Sequence, residues 1–377
     1  MTAQKGEIGY SWAEIRKGLD RPMIMVILAL FGLGLISIYS AGAGVRRSTT
    51  AFAVRQLVWG GVSAAVYITL LRVGYQRLVR WSYWIYASTI FTLIVLLITG
   101  SASRGAVSWF RFGTMSFQPA ELGKIALILA LARFCSRNPP DKGGRLLAAL
   151  AVSGVSVVMI MLQPDLGSAL VYGSIIFAML IVAGTPGKYV AGMVVAGIAA
   201  LPFFWMTLKP YQKLRLLVFL DPYIDPQGAG YNVIQSRIAV GSGGLWGKGF
   251  LHGTQGRLHF LPEPHTDFIF SVFAEEFGFV GSVLVVLLFG FLLWRILRAA
   301  FRTKDIRAKL ICVGVAAWVW FQVMESIAMS MGLAPVTGLP LPLFSYGGSS
   351  LLMTTAGLAL VQSVAISPVR EKFSSVV

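Results

Sequence analysis

The sequence predicts an all-α polytopic membrane protein of about ten transmembrane helices, with one large extracytoplasmic loop between the seventh and eighth. Of its 377 residues, 56% are hydrophobic and only 12% are charged, with a mean hydropathy of +0.74. Apolar runs of spanning length recur along the whole chain, separated by short basic segments. Residues 208–266 alone interrupt that rhythm, with glycine, histidine and scattered charge.

Residues 1–22 are polar and the first apolar run, 23–41, is long enough to span, so no cleaved signal peptide is expected. Further spans are expected near 52–71, 82–99, 119–134, 146–162, 166–184, 189–207, 267–294, 309–333 and 349–367. Short loops rich in Lys and Arg stay in the cytoplasm. With the N-terminus inside, the inside segments hold 20 basic residues, whereas the short outside loops hold 5: Arg46, Arg47, Arg55, Arg104 and Arg111. Both termini are therefore expected in the cytoplasm and 208–266 outside, within one integral membrane domain spanning 1–377. The +17 net charge is then largely topological, with membrane lipid headgroups as its neighbours and no nucleic acid partner. Cys135 and Cys312 fall near inside helix ends, where a structural disulfide is not expected.

This topology puts three acids at the outer ends of helices. Asp267 follows Pro264-His265-Thr266, Glu121 follows Gln118-Pro119-Ala120, and Asp165 follows Gln163-Pro164. A proline with an acid in the first turn also simply starts a helix, because the carboxylate meets the positive end of the dipole. Both readings stay open for Glu121 and Asp165. Lys124 lies three residues after Glu121, on the same face of an apolar segment, and such a pair is costly to desolvate. It suits a polar cavity better than a stabilising role. The run from Asp267 to Trp294 would be ~42 Å long as a helix, against roughly 30 Å of hydrocarbon, so its first turns stand in a cavity or the headgroup zone. Glu275, Glu276 and Glu325 are read evenly as structural or functional.

Within 208–266 lie Lys209 to Arg215, Gln235-Ser236-Arg237, and the glycine-rich Gly241-Ser242-Gly243-Gly244-Leu245-Trp246-Gly247-Lys248-Gly249. Glycine lets backbone N–H groups approach an anion, and nearby Arg and Lys bond phosphate. It is not a nucleotide-binding P-loop, since Gly249 follows the lysine where Ser or Thr would stand. His252, His259 and His265 match no common zinc spacing. The last connection, Pro335 to Ser350, is apolar yet broken by proline and glycine, and reads as a re-entrant wall beside a cavity.

Together these residues resemble the SEDS (shape, elongation, division and sporulation) family, most of all its rod-shape branch. The resemblance covers nearly the whole chain. It is carried by Trp109, Phe117-Gln118-Pro119-Ala120-Glu121 with Lys124, Gln163-Pro164-Asp165-Leu166-Gly167, Gly241 to Gly249, Gly253-Thr254-Gln255, Phe260 to Phe268, Gly338-Leu339-Pro340-Leu341-Pro342 and Ser345-Tyr346-Gly347-Gly348. Ala120 departs from the family's usual serine. The resemblance implies a bacterial inner-membrane peptidoglycan glycosyltransferase that polymerises lipid II, an undecaprenyl-pyrophosphate-linked disaccharide peptide, into β-1,4 glycan strands during elongation. It also implies a class B penicillin-binding protein as transpeptidase partner, among other elongation-complex membrane proteins. Asp267 matches the family's catalytic acid, and Trp109, Glu121, Lys124 and Asp165 match functionally sensitive positions.

The chemistry needs one base for the acceptor hydroxyl and no acid, because pyrophosphate departs as an anion; most glycosidases need a carboxylate pair. Asp267 is the expected base on the outer face, with His265 beside it among the substrate-binding residues. Arg111, Lys124, Arg215, Arg237 and Lys248 form the pool of cations for pyrophosphate, and a divalent cation, Mg or Mn, is a candidate helper. A lipid II transporter is the alternative, but it would need polar groups reachable from both faces.

Overall fold

The computed structural model describes residues 10–42, 49–100, 109–112, 115–258 and 260–374; Arg46, Arg47, Arg104 and His259 lie outside the described residues. The chain opens with a short helix, α1 (Trp12–Gly18), started by a capping box between Ser11 and Glu14. Three long helices follow: α2 (Arg21–Gly42), α3 (Thr49–Val73) and α4 (Tyr75–Thr99). A two-stranded antiparallel hairpin, β1 (Phe110–Phe112) and β2 (Met115–Phe117), leads into α5 (Pro119–Arg137). Next come α6 (Gly143–Leu162), α7 (Leu166–Val182) and α8 (Gly187–Thr207), then the shorter α9 (Pro210–Leu220), α10 (Ala229–Ser242) and α11 (Thr254–Arg257). Three helices close the chain: α12 (Ile269–Arg302), α13 (Ile306–Ser330) and α14 (Gly348–Ser374).

Each of the ten predicted spans is a helix. Eight are long and apolar enough to cross a membrane by length and composition. α7 has 17 residues, and α5 carries Glu121, Lys124, Arg133 and Arg137. Glu121 and Lys124 sit where α5 runs through the centre of the bundle, buried at nearly every position from Pro119 to Ala132, whereas Arg133 and Arg137 lie at its less buried end. Close approach to α7 requires Gly123, where a Cβ would lie 2.0 Å from the Tyr172 hydroxyl. That hydroxyl donates to the Ala120 carbonyl at 2.8 Å. At the other extreme, no residue of α8 is buried. Cys135 and Cys312 are free and buried.

Residues 208–266 are mostly helical. α9 passes through a 3₁₀ turn (Pro222–Ile224) to α10, whose start is capped by Asp225, its carboxylate oxygens accepting from the Gly228 and Ala229 N–H groups. α10 and α11 pack against α12.

The glycine-rich stretch, read from the sequence as a candidate anion cradle, packs along α12. α12 is broken at Gly278 (φ 64°, ψ −162°), and residues 244–249 lie along the break. Lys248 N and Gly249 N donate to the Glu275 and Glu276 carbonyls at 3.0 Å each, while Phe279 N and Val280 N donate to the Gly244 and Leu245 carbonyls at 2.9 and 3.1 Å. The segment supplies the partners that a broken helix lacks. Of its backbone N–H groups, those of Lys248 and Gly249 are spent on α12 and that of Gly247 on Gly243.

The connection into α14 is non-helical and largely buried at Leu339, Leu341, Leu343 and Phe344. Its backbone polar groups are met by protein: Gln56 Nε2 donates to the Ser345 carbonyl at 3.2 Å, Gly347 N to Gln56 Oε1 at 3.3 Å, and Tyr346 N to the His265 carbonyl at 2.9 Å. This internal satisfaction is what irregular backbone at membrane depth requires.

Candidate active site

Four chain segments reach a common point because α5, α7 and α12 begin there and the Pro335–Gly347 connection closes over them. Between them lies a cavity of about 540 Å³. The hairpin supplies Trp109 and Ser116, the start of α5 supplies Gln118 and Glu121, and the start of α7 supplies Pro164 to Ser168. Tyr211 and Arg215 come from α9, Glu263, Thr266 and Asp267 from the approach to α12, and Thr337, Gly338, Tyr346 and Ser350 from the far side. Glu121, Asp165 and Asp267 therefore share one cavity. The helix N-termini add partial positive charge to it.

Each acid is held differently. Glu121 is 1% exposed, and its Oε1 accepts from Lys124 Nζ at 2.5 Å. Its Oε2 is buried with no hydrogen-bond partner. Lys124 stands behind Glu121 and not on the cavity wall, fully buried, with Nζ 4.9 Å above the Trp318 ring. Asp165 caps α7: Oδ1 accepts from Ser168 N at 2.9 Å, and Oδ2 from Ser168 Oγ at 2.8 Å and Gln118 Nε2 at 3.1 Å. The helix-start reading of Asp165 holds, and the same capping carboxylate lines the cavity. Asp267 backs onto Gly338, where a Cβ would come 3.4 Å from Oδ2.

The cations divide. Arg215 lines the cavity and anchors to the Val336 carbonyl at 3.3 Å. Arg111 lies on β1, one residue beyond the partner of Phe117, and pairs with Ser116. Arg237 lies away from the cavity and donates to the Gly332 carbonyl at 2.8 Å. Lys248 is also away from it, ion-paired to Glu275 at 2.6 Å. Glu275 is a structural junction, since its carboxylate also accepts from the backbone N–H groups of Thr254 and Gln255, which open α11. Glu276 accepts from the Ser40 hydroxyl.

His265 does not line the cavity. It stacks on Phe52, with ring centroids 4.3 Å apart, and leans on Tyr346. Burial lowers its pKa below the ordinary histidine value, partly offset by Glu263, so the ring is held neutral. It braces the chain two residues before Asp267.

Sequence reasoning assigned no role to Gln118, Tyr211 or Thr337. The Tyr211 hydroxyl is buried in the lining without a hydrogen-bond partner, like Glu121 Oε2. Unpaired buried polar atoms on a cavity wall suit a polar ligand. Among the described residues no three His, Cys, Asp or Glu side chains converge as a metal-binding group, so the site offers a divalent cation no ready-made protein ligand set.

Residues 21–368 match the FtsW/RodA/SpoVE family, described as cell cycle proteins. This chain belongs to the FtsW/RodA/SpoVE family. Relatives in it include the peptidoglycan glycosyltransferase MrdB of Escherichia coli K12, 36% identical over 356 residues, covering 92% of this chain and 93% of that one. Stage V sporulation protein E of Bacillus subtilis is likewise 36% identical over 356 residues, covering 92% and 96%. Among solved structures, the fold is similar to the Thermus thermophilus rod shape determining protein RodA, with a TM-score of 0.70 and 31% identity over 92% of this chain and 96% of that one. It is also similar to a chain from a peptidoglycan synthase complex described as coordinating polymerization and crosslinking, with a TM-score of 0.79 and 37% identity over 92% and 97%. The FtsW/RodA/SpoVE fold is therefore that of a multi-span membrane protein.

Proposed function

We propose that this chain is a peptidoglycan glycosyltransferase that polymerises lipid II into β-1,4 glycan strands during cell elongation, at the outer face of the bacterial cytoplasmic membrane. Both termini then lie in the cytoplasm, and 208–266 is extracytoplasmic. The observation that carries the reading is the convergence of Glu121, Asp165 and Asp267 on one cavity lined by unpaired polar atoms, in a chain whose relatives bear the name peptidoglycan glycosyltransferase.

In the reaction the 4-hydroxyl oxygen of the acceptor sugar bonds to the anomeric carbon of the donor from the face opposite its diphosphate. The carbon–oxygen bond to the diphosphate breaks, and its electron pair leaves with undecaprenyl pyrophosphate. The hydroxyl proton passes to Asp267, and the α-linked donor becomes a β-linked product. Since the leaving group departs as an anion, a single carboxylate suffices. Arg215 is the lining cation for the diphosphate, with Arg111 on the neighbouring hairpin as a second. Glu121, held by Lys124, and Asp165, held by Gln118 and Ser168, offer acceptors for sugar hydroxyls, and Trp109 offers a flat apolar face at the rim. A class B penicillin-binding protein is the transpeptidase partner, a reading supported by the likeness to a chain from a synthase complex.

The test is polymerisation of lipid II by the purified chain with its transpeptidase partner, resolved on a gel. Wild type gives glycan ladders and Asp267→Asn gives none. Full polymer from Asp267→Asn would remove the base; no polymer from wild type, with lipid II crossing vesicles instead, would favour a transporter.

A further inference from the structure

Glu325 lies within α13, buried, and stands outside the cavity lining described above. Its Oε1 accepts from the Thr337 hydroxyl, and its Oε2 is buried without a hydrogen-bond partner. Thr337 sits in the wall segment Val336–Gly338, and both neighbours of Thr337 touch the reaction apparatus. The Val336 carbonyl anchors Arg215, and Gly338 backs Asp267. Asp267 and Glu325 are also close enough to interact through their charges. One buried acid thus reaches, through a single threonine, both the lining cation and the base.

We propose that Glu325 is a positioning residue for the reaction: through Thr337 it fixes the wall between Arg215 and Asp267, and it stands as a second acid close to the base. The inference rests on the glycosyltransferase reading. When Glu325 is ionised, its charge opposes the ionisation of a neighbouring carboxyl, and a carboxylate that is harder to form is a stronger base toward the acceptor hydroxyl. A buried acid is costly to retain without such a use. The other ionisable groups facing this region are Glu121 with Lys124 on α5, Asp165 on α7, Tyr211 and Arg215 on α9, Arg237 on α10, Glu263 ahead of α12, and Tyr346. Altering Glu325 leaves these groups the same in number and kind, and the Thr337 variants, which disturb the wall but keep the acid, separate wall movement from loss of the carboxylate.

The experiment measures the pH dependence of lipid II polymerisation by the full-length chain with its transpeptidase partner, for wild type, Glu325→Gln, Glu325→Asp, Thr337→Val and Thr337→Ser. Glu325→Gln should move the acidic limb of the kcat profile down by about one pH unit and lower kcat by about tenfold at pH 7.5, with the KM for lipid II within about twofold of wild type. Glu325→Asp, which keeps the charge, should retain the wild-type limb. Thr337→Val should lower kcat several-fold without moving the limb, and Thr337→Ser should behave as wild type. A folded Glu325→Gln protein with a superimposable profile and kcat would overturn the proposal while leaving the glycosyltransferase reading intact. Wild-type protein without polymerase activity would sink both. If Glu325→Gln does not fold, the threonine pair decides: a several-fold loss in Val but not Ser supports the proposal, and equal kcat in both refutes it.

Discussion

Glu121 and Lys124 form an ion pair at 2.5 Å in which both side chains are sealed from solvent, yet only one carboxylate oxygen is used. Such a pair is weak as a stabiliser but severe to break, because removing one partner strands the other charge. Lys124→Met should therefore cost about 3–5 kcal/mol. Adding Glu121→Gln should recover a large part of it while leaving polymerisation impaired, since a cavity acceptor is gone. Thermal unfolding of the single and double variants in detergent measures the coupling. Equal melting temperatures for Lys124→Met and wild type would contradict it.

The break in α12 gives a second prediction. A Cβ at Gly278 would lie 2.3 Å from Gly247 N, and one at Gly247 would lie 2.0 Å from the Glu276 carbonyl oxygen. Both residues also hold positive φ, 64° and 82°. Alanine at either site must therefore push the glycine-rich segment off α12, at a cost of about 1–3 kcal/mol for the backbone conformation, with the clash in addition. Each variant should unfold at lower temperature, whereas Gly244→Ala, with open space around it, should be milder.

How much of this was readable in advance follows from what each residue does to the chain's polarity. The ten spans are legible because hydropathy integrates over many residues, and the three cavity acids because a charge beside an apolar run is rare. The break at Gly278 is hidden, because the apolar run continues through it and only φ changes. The hairpin is hidden because strands of three residues give alternation nothing to act on. The stretch Gly243 to Gly249 is ambiguous for a physical reason: glycine-exposed N–H groups suit an anion and a broken helix equally well, and sequence does not say which carbonyls are nearby. Thr337 and Tyr211 carry no charge and so raise no signal; their roles come from position alone.

His265 makes stability depend on pH. Burial holds its pKa below the ordinary value of 6.5, so the folded state binds fewer protons there than the unfolded chain. Its contribution is therefore full at neutral pH and falls as pH drops below about 6.5. Wild type should melt at a lower temperature at pH 5.5 than at pH 7.5. His265→Phe preserves an aromatic partner for Phe52 and Tyr346 without a titrating group, and should flatten that difference. An unchanged difference in the variant would assign the pH dependence to other groups.

Arg215 and Lys248 separate the cavity from the scaffold. Among the described residues Arg215 faces the cavity, lies over the Tyr211 ring and hydrogen-bonds a backbone carbonyl of the opposite wall, with further guanidinium N–H groups to offer a diphosphate. Lys248 spends its ammonium on Glu275 and Thr254, at 2.6 and 3.0 Å. Arg215→Ala should therefore raise the KM for lipid II by about tenfold, equivalent to one charge-assisted hydrogen bond, with little change in melting temperature. Lys248→Ala should do the reverse: it strands the buried Glu275 carboxylate on neutral donors, so the protein melts earlier while KM stays within about twofold. Steady-state polymerisation and thermal unfolding on the two variants read both quantities. A KM effect confined to Lys248→Ala would move the diphosphate site from the cavity to the glycine-rich segment along α12.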